Sequence, residues 1–158
     1  MTTTTKTSSD SLVETHQLVL PSHTNALGSI FGGTIMSWID IAAAICAQKH
    51  SGKICVTASV DALNFLNPVR LGHMVKLVAR VVYTGRTSMM ISVHVTAQDL
   101  KSSQTLPCVD ALLTFVALDE QGKPTPVPAL DPQSPEEKAA HQKAAERRAA
   151  LLQLSRSR

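Results

Sequence analysis

The chain has 158 residues, 44% of them apolar and 17% charged, which suits one domain with a substantial core and excludes a disordered chain. Its formal charge of +3 resides in the tail, where Lys138, Lys143, Arg147, Arg148, Arg156 and Arg158 outnumber Glu136, Glu137 and Glu146, while residues 1–132 balance to zero. With one Trp, one Tyr and three Phe besides, the body offers neither the charge nor the stacking surface of a nucleic-acid binder, and no apolar run is long enough to span a membrane.

Residues 1–11 are Thr/Ser-rich and read as a disordered N-terminus, with no apolar stretch after Lys6 to form a secretory signal. A first strand is expected over residues 12–20, stopped by Pro21, and a loop containing Asn25 follows. From about residue 29 to residue 50 the apolar positions Ile30, Met36, Ile39, Ala43 and Cys46 recur at spacings of three and four, which predicts a long helix ended by Gly52. Residues 55–65 alternate, with Val56, Ala58, Val60 and Ala62 on one face and Thr57, Ser59 and Asp61 on the other. Two further alternating strands are expected over residues 73–84 and 87–98, joined by a turn at Gly85-Arg86. The last strand, residues 105–118, has Pro107 near its start, which suggests an irregular or edge-like beginning. Residues 122–133 hold four prolines and read as a linker; Ser134 and Glu137 then form a capping box for a terminal helix and basic tail, residues 134–158.

Short connections between strands favour antiparallel neighbours, so the expected class is α+β: one antiparallel sheet covering one long helix, with the domain over residues 12–121. That helix carries only Asp40 and Lys49 as charges and must be buried nearly all round, so a second copy of the protein is expected to close the side that one sheet leaves open. Three cysteines at irregular spacing make no disulfide framework, which points to a reducing cytoplasm.

Asp40 is the most informative residue. Its helical neighbours are Met36, Ser37, Ala43 and Ala44, and no Lys or Arg lies between Gly28 and Gln48 to pair with it. A carboxylate among small apolar side chains needs a hydrogen-bonding partner or a chemical task, here a general base or nucleophile. Gly32 and Gly33 open the same helix, where the first N–H groups are free to meet an anion or a polarised carbonyl oxygen. Asn25 reads equally as a turn residue or as an amide that orients water or an oxyanion. Arg86, Thr87 and Ser88 read as a hairpin turn or as contacts to a phosphorylated or amide-containing ligand. Cys46 and His50 could form half a metal site, but no second pair completes it, and no metal or other cofactor is expected.

The stretch from His23 through Asn25, Gly28, Phe31, Gly32 and Gly33 to Trp38-Ile39-Asp40 resembles the signature of hotdog-fold acyl-CoA thioesterases, in particular the YciA-type bacterial enzymes and the cytosolic acyl-CoA hydrolases of animals. The likeness continues through Val56-Thr57-Ala58-Ser59-Val60-Asp61, Asn64 to Val69 with Gly72, and Thr84 to Met89, as far as Gly122-Lys123-Pro124. It implies a five- or six-stranded antiparallel sheet curled around the long helix, dimers with continuous sheets, and trimers of such dimers. It also implies tunnels at the dimer interface, where Asn25 of one subunit faces Asp40 of the other and a backbone N–H at Gly32-Gly33 holds the oxyanion. Thr57, Ser59 and the Arg86-Thr87-Ser88 turn would line the path of the acyl-CoA, whose coenzyme A is part of the substrate. His73 stands where an acidic residue is expected after Gly72. The activity so implied is hydrolysis of acyl-CoA to fatty acid and coenzyme A. The alternatives are a non-catalytic acyl-CoA sensor on the same fold, and a dehydratase or isomerase that would place a His and an acid in the tunnel, for which His23 is the nearest candidate.

Overall fold

The computed structural model describes residues 4–158. Its elements in chain order are β1 (Thr5–Lys6), β2 (Val13–Leu18), α1 (Gly32–Ser51), β3 (Ile54–Phe65), β4 (Met74–Thr84), β5 (Ser88–Gln98), β6 (Thr105–Leu118), β7 (Ala129–Leu130) and α2 (Pro135–Arg156), with short 3-10 turns at Ser8–Asp10 and Pro21–His23. Five strands form one antiparallel sheet in the order β2-β4-β5-β6-β3. This is the α+β hotdog architecture, with α1 packed against the concave face. Ile35, Ile39, Ala42, Ala43, Cys46 and Ala47 of α1 meet Val75, Leu77, Ala79 and Val81 of β4 and Met89, Ile91, Val93 and Val95 of β5 in one core. The strict alternation of β4 and β5 supplies that inner face as expected.

Four expectations change. Hairpin logic holds for β4-β5 and β5-β6, yet β3 pairs with β6 and lies at the opposite side of the sheet from β2. Residues 66–73 therefore cross the mouth of the curled sheet, held by Ile30 N–H on the Val69 carbonyl and Leu71 N–H on the Gly28 carbonyl. The same bonds keep residues 29–31 extended, so α1 begins at Gly32 and not at 29. Strand β6 is interior rather than edge-like, though its start is irregular as Pro107 suggested, with that residue accommodated beside a bulge between Val95 and Thr96. In β3, bulges between Thr57 and Ser59 and between Val60 and Ala62 break the period of two. Thr57, Val60 and Leu63 consequently line one cavity, although alternation had put Thr57 and Val60 on opposite faces.

The chain ends also pack differently. Residues 1–3 lie outside the described residues, but residues 5–11, expected to be disordered, carry β1 and a 3-10 turn, with Ser8 and Ser11 buried. β1 pairs with β7, so the Pro-rich segment is no free linker: Val127 is buried, and the N–H groups of Thr125 and Val127 donate to the carbonyls of Ala117 and Arg86. His50, wholly buried at the end of α1, ties both segments down through Pro128 O (2.8 Å from Nε2) and Ser11 Oγ (3.5 Å from Nδ1). Helix α2 lies on the outer face of the sheet, Ala144 seated on Val82 and Met90, its capping box formed by Ser134 and Glu137 as expected. No helix among the described residues is long and apolar enough to cross a membrane.

Candidate active site

Asp40 projects from α1 two turns in, roughly 12 Å along the axis from Gly32. It is half-buried in the single chain and lines a cavity of about 340 Å³ with Met36, Ser37, Ile39, Thr57, Val60, Leu63 and Leu113. The sequence offered it no local cation, and its partner is a hydroxyl: Thr57 Oγ1 donates to Asp40 Oδ1 at 2.7 Å. A hydroxyl given to one oxygen fixes the carboxylate's orientation and leaves the other oxygen free to accept a proton. The cavity wall is otherwise almost wholly apolar.

Asn25 sits in the loop ahead of α1. Its Oδ1 accepts the N–H groups of Leu27 (2.9 Å) and Ser29 (3.3 Å). The side chain thus makes the turn through its oxygen, the first of the two readings of this residue. Within the protomer no hydrogen bond joins it to Asp40 among the described residues.

Gly32 and Gly33 are the first two residues of α1, ahead of the first helical bonds, which run from the N–H groups of Thr34 and Ile35 to the Phe31 carbonyl. A Cβ on Gly32 would lie 3.6 Å from Phe65, an ordinary contact, and one on Gly33 would meet nothing within 4 Å. Close packing inside the chain therefore does not require Gly33. A second cavity, about 440 Å³, opens beside Gly32 between Ile30, Phe65, Asn67 and Pro68.

The remaining candidates scatter. Ser59 does not line the Asp40 cavity; its hydroxyl donates to Asp61 Oδ1 at 2.7 Å. Ser88 is buried beside Gly85, whose N–H donates to the Ser88 carbonyl, and only Arg86 of the turn is exposed. Cross-strand pairing puts Thr57, Phe115, Met89 and Thr84 in one row, so this turn lies across the sheet from Thr57. The role of Asp61 as an acceptor for two hydroxyls, Ser59 and Thr114, was not anticipated; the bulges that aim it outward leave no mark in the alternation of residue types.

Rival chemistries lose their residues. His23 accepts the Leu20 N–H on Nδ1 (3.0 Å) and stacks edge-on against Trp38, so it is a structural imidazole. His73 closes a turn by accepting the Arg70 N–H. Both ring nitrogens of His50 are occupied, no metal-binding group of His, Cys, Asp or Glu exists among the described residues, and burial pushes the Cys46 thiol up to about 11, too high for a nucleophile at neutral pH.

The family model of the thioesterase superfamily matches residues 27–103. The acyl-CoA thioester hydrolase YciA of Salmonella typhimurium is 40% identical over 131 residues, spanning 81% of this chain and 98% of that protein. The chain belongs to the acyl-CoA thioester hydrolases of the thioesterase superfamily. Among solved members, an apo hexameric acyl-CoA thioesterase superposes with a TM-score of 0.94 at 37% identity, covering 98% of this chain and 99% of that one. An acyl-CoA hydrolase from Staphylococcus aureus, solved with butyryl coenzyme A and coenzyme A, gives 0.88 at 38% identity, covering 97% and 95%. The same hydrolase is also solved with alanine in place of an aspartate, an asparagine or a threonine. The match to the apo hexameric structure covers 98% of this chain and so takes in α2.

Proposed function

We propose that the protein hydrolyses acyl-CoA thioesters to a free carboxylic acid and coenzyme A. The observation that carries this reading is the Asp40 carboxylate held by Thr57 at an apolar cavity. In this account Asp40 takes a proton from water as the water oxygen attacks the thioester carbon. The carbonyl electrons move onto oxygen, which accepts hydrogen bonds from the free N–H groups at the start of α1. Collapse of the tetrahedral intermediate expels the coenzyme A thiolate, and the proton held on Asp40 passes to the sulfur. A thiolate leaves readily, so one base and an oxyanion site suffice. A second route has Asp40 attack the carbon directly, giving a mixed anhydride that water opens.

Two features support a site shared between subunits. Strand β3 presents a free edge, and Ile54, Val56, Val60 and Phe65 on it, with Ile41 and Ile45 of α1, are exposed, Ile54 by 71%. Such an apolar edge invites pairing with a second copy. In the proposed dimer the sheets join along β3, and the Nδ2 of Asn25 in one protomer reaches toward Asp40 of the other to position water or the carbonyl. Three such dimers make the hexamer, the assembly of the related apo thioesterase. The asparagine, aspartate and threonine replaced in the S. aureus hydrolase have the same spacing along their chain as Asn25, Asp40 and Thr57, which supports assigning the reaction to these three. Ser59 and the Arg86-Thr87-Ser88 turn, proposed from the resemblance as substrate contacts, have weaker support: Ser59 and Arg86 are exposed, but the Ser59 hydroxyl is engaged by Asp61, which leaves Arg86 to meet a coenzyme A phosphate at a subunit edge. Three free, buried thiols at Cys46, Cys55 and Cys108 agree with a cytoplasmic setting.

Thiol release measured across acyl chain lengths tests the function. Asp40→Asn is expected to lower kcat by about a hundredfold with the oligomer intact. A non-catalytic sensor would bind acyl-CoA and release no thiol in the wild-type protein, and that result would end the proposal. In a single turnover in oxygen-18 water, label found in Asp40 favours the anhydride route, since it enters there when water opens the anhydride at the Asp40 carboxyl carbon.

A further inference from the structure

Strand β3 has more residues than the stretch of β6 it pairs with. Thr57 and Ser59 face consecutive residues Phe115 and Thr114, and Val60 and Ala62 face Leu113 and Leu112, so Ala58 and Asp61 are the extra residues of two bulges. A bulge removes its extra residue from the ladder and bends the strand, and the freed backbone groups need other partners. At Asp61 those partners lie on the outer face of the sheet. The Arg147 guanidinium of α2 donates to the Asp61 carbonyl oxygen. The Asp61 carboxylate accepts the hydroxyls of Ser59 at 2.7 Å and Thr114 at 2.6 Å.

Arg147 can reach because α2 is seated by neighbours on the same helical face. Ala140 and Ala144, four and three residues apart from each other and from Arg147, pack with Val82, Met90 and Leu112 of the sheet. The helix start is fixed as well, since Glu137 caps Ser134 and also accepts the Ser8 hydroxyl. On the other side of the clamped segment stands Thr57, with its hydroxyl on Asp40. A bulge that migrates by one residue pair moves every side chain between the old and new positions to the opposite face. Thr57 lies next to the first bulge, whose migration by one pair would turn it from Asp40, and the second bulge, held at Asp61, fixes the register of the short segment between them.

We infer that Arg147 and Asp61 are positioning residues for the active site: from the outer face they lock the double bulge of β3 and thereby hold Thr57 on Asp40. Helix α2 is then a working part of the catalytic apparatus, although it supplies no group to the cavity. This inference rests on the assignment of Asp40 and Thr57 to the reaction given above.

The test uses the full-length protein and the variants Arg147→Ala, Arg147→Lys, Thr57→Ala and the Arg147→Ala/Thr57→Ala pair, with kcat and KM from thiol release and amide hydrogen exchange read at residues 57–62. Arg147→Ala is expected to lower kcat about tenfold with KM within about twofold, and to speed exchange at residues 57–62 about tenfold while the core of β4 and β5 stays protected. Arg147→Lys, which keeps a donor, restores most of both. In the double variant the second substitution adds less than about twofold, because both act through one hydrogen bond. Unchanged exchange at residues 57–62, a kcat within twofold of wild type, or fully multiplicative losses in the pair would overturn the inference. Failure of the functional assignment is read separately: Asp40→Asn that still releases thiol removes that assignment, whereas the exchange rates report on the clamp without reference to catalysis.

Discussion

Gly33→Ala should make the protein more stable and a poorer catalyst. Gly33 is the second residue of α1, its φ is not among the positive values in the chain, and an added Cβ meets nothing within 4 Å. Alanine in a helix is favoured over glycine by up to about 1 kcal/mol, less near an end, so a gain of roughly 0.5 kcal/mol is expected. For a chain of this size that corresponds to a rise in Tm of about 1–2 °C. The same open space is where the proposed oxyanion approaches the helix start. A methyl group there displaces the thioester by about an ångström, a misplacement that costs on the order of a hundredfold in rate. Calorimetry at fixed protein concentration and thiol release on one acyl-CoA measure both effects on a single preparation. A raised Tm with unchanged kcat/KM would refute the placement of the oxyanion. A lowered Tm would refute the claim that nothing packs against Gly33.

The buried imidazole of His50 gives a stability that depends on pH. Burial lowers its pKa below the usual 6.5, so the unfolded chain takes up the proton first, and stability present above pH 6.5 is lost as pH falls below it, until the folded-state imidazole itself titrates. Urea midpoints should therefore drop between pH 7.5 and more acid conditions, and a His50→Gln variant should show a flatter profile over that range. Glu137→Ala removes the acceptor for the N–H groups of Gln133 and Ser134 and for the Ser8 hydroxyl. A cap of this kind is worth about 1 kcal/mol, so Tm should fall by roughly 2–4 °C. Faster amide exchange in the first turns of α2 would accompany the fall, and its absence would show that the cap does not hold the helix down.

Much of the fold was legible because it rests on local patterns. The inner face of β4 and β5 is written as strict alternation, α1 as apolar spacings of three and four closed by Gly52, and the start of α2 as a capping box. Asp40 stood out for an equally local reason, a lone carboxylate among alanines and isoleucines of one helix. The order of strands was not legible, since the crossing of residues 66–73 depends on hydrogen bonds to Val69 and Gly28 that no periodicity encodes.

The amino-acid sequence by itself determined the α+β class, the amphipathic strands, the helix with its single acid, and the family to which these residues belong. Tertiary structure alone decided which hydroxyl meets that acid. Alternation put Thr57 and Val60 on opposite faces, but two extra residues in β3 change the local period and bring Val60 onto the face from which Thr57 meets Asp40, while Asp61 turns outward to Ser59, Thr114 and Arg147. The physical reason is that a bulge is a mismatch between two strands, a property of the pair that neither strand carries alone.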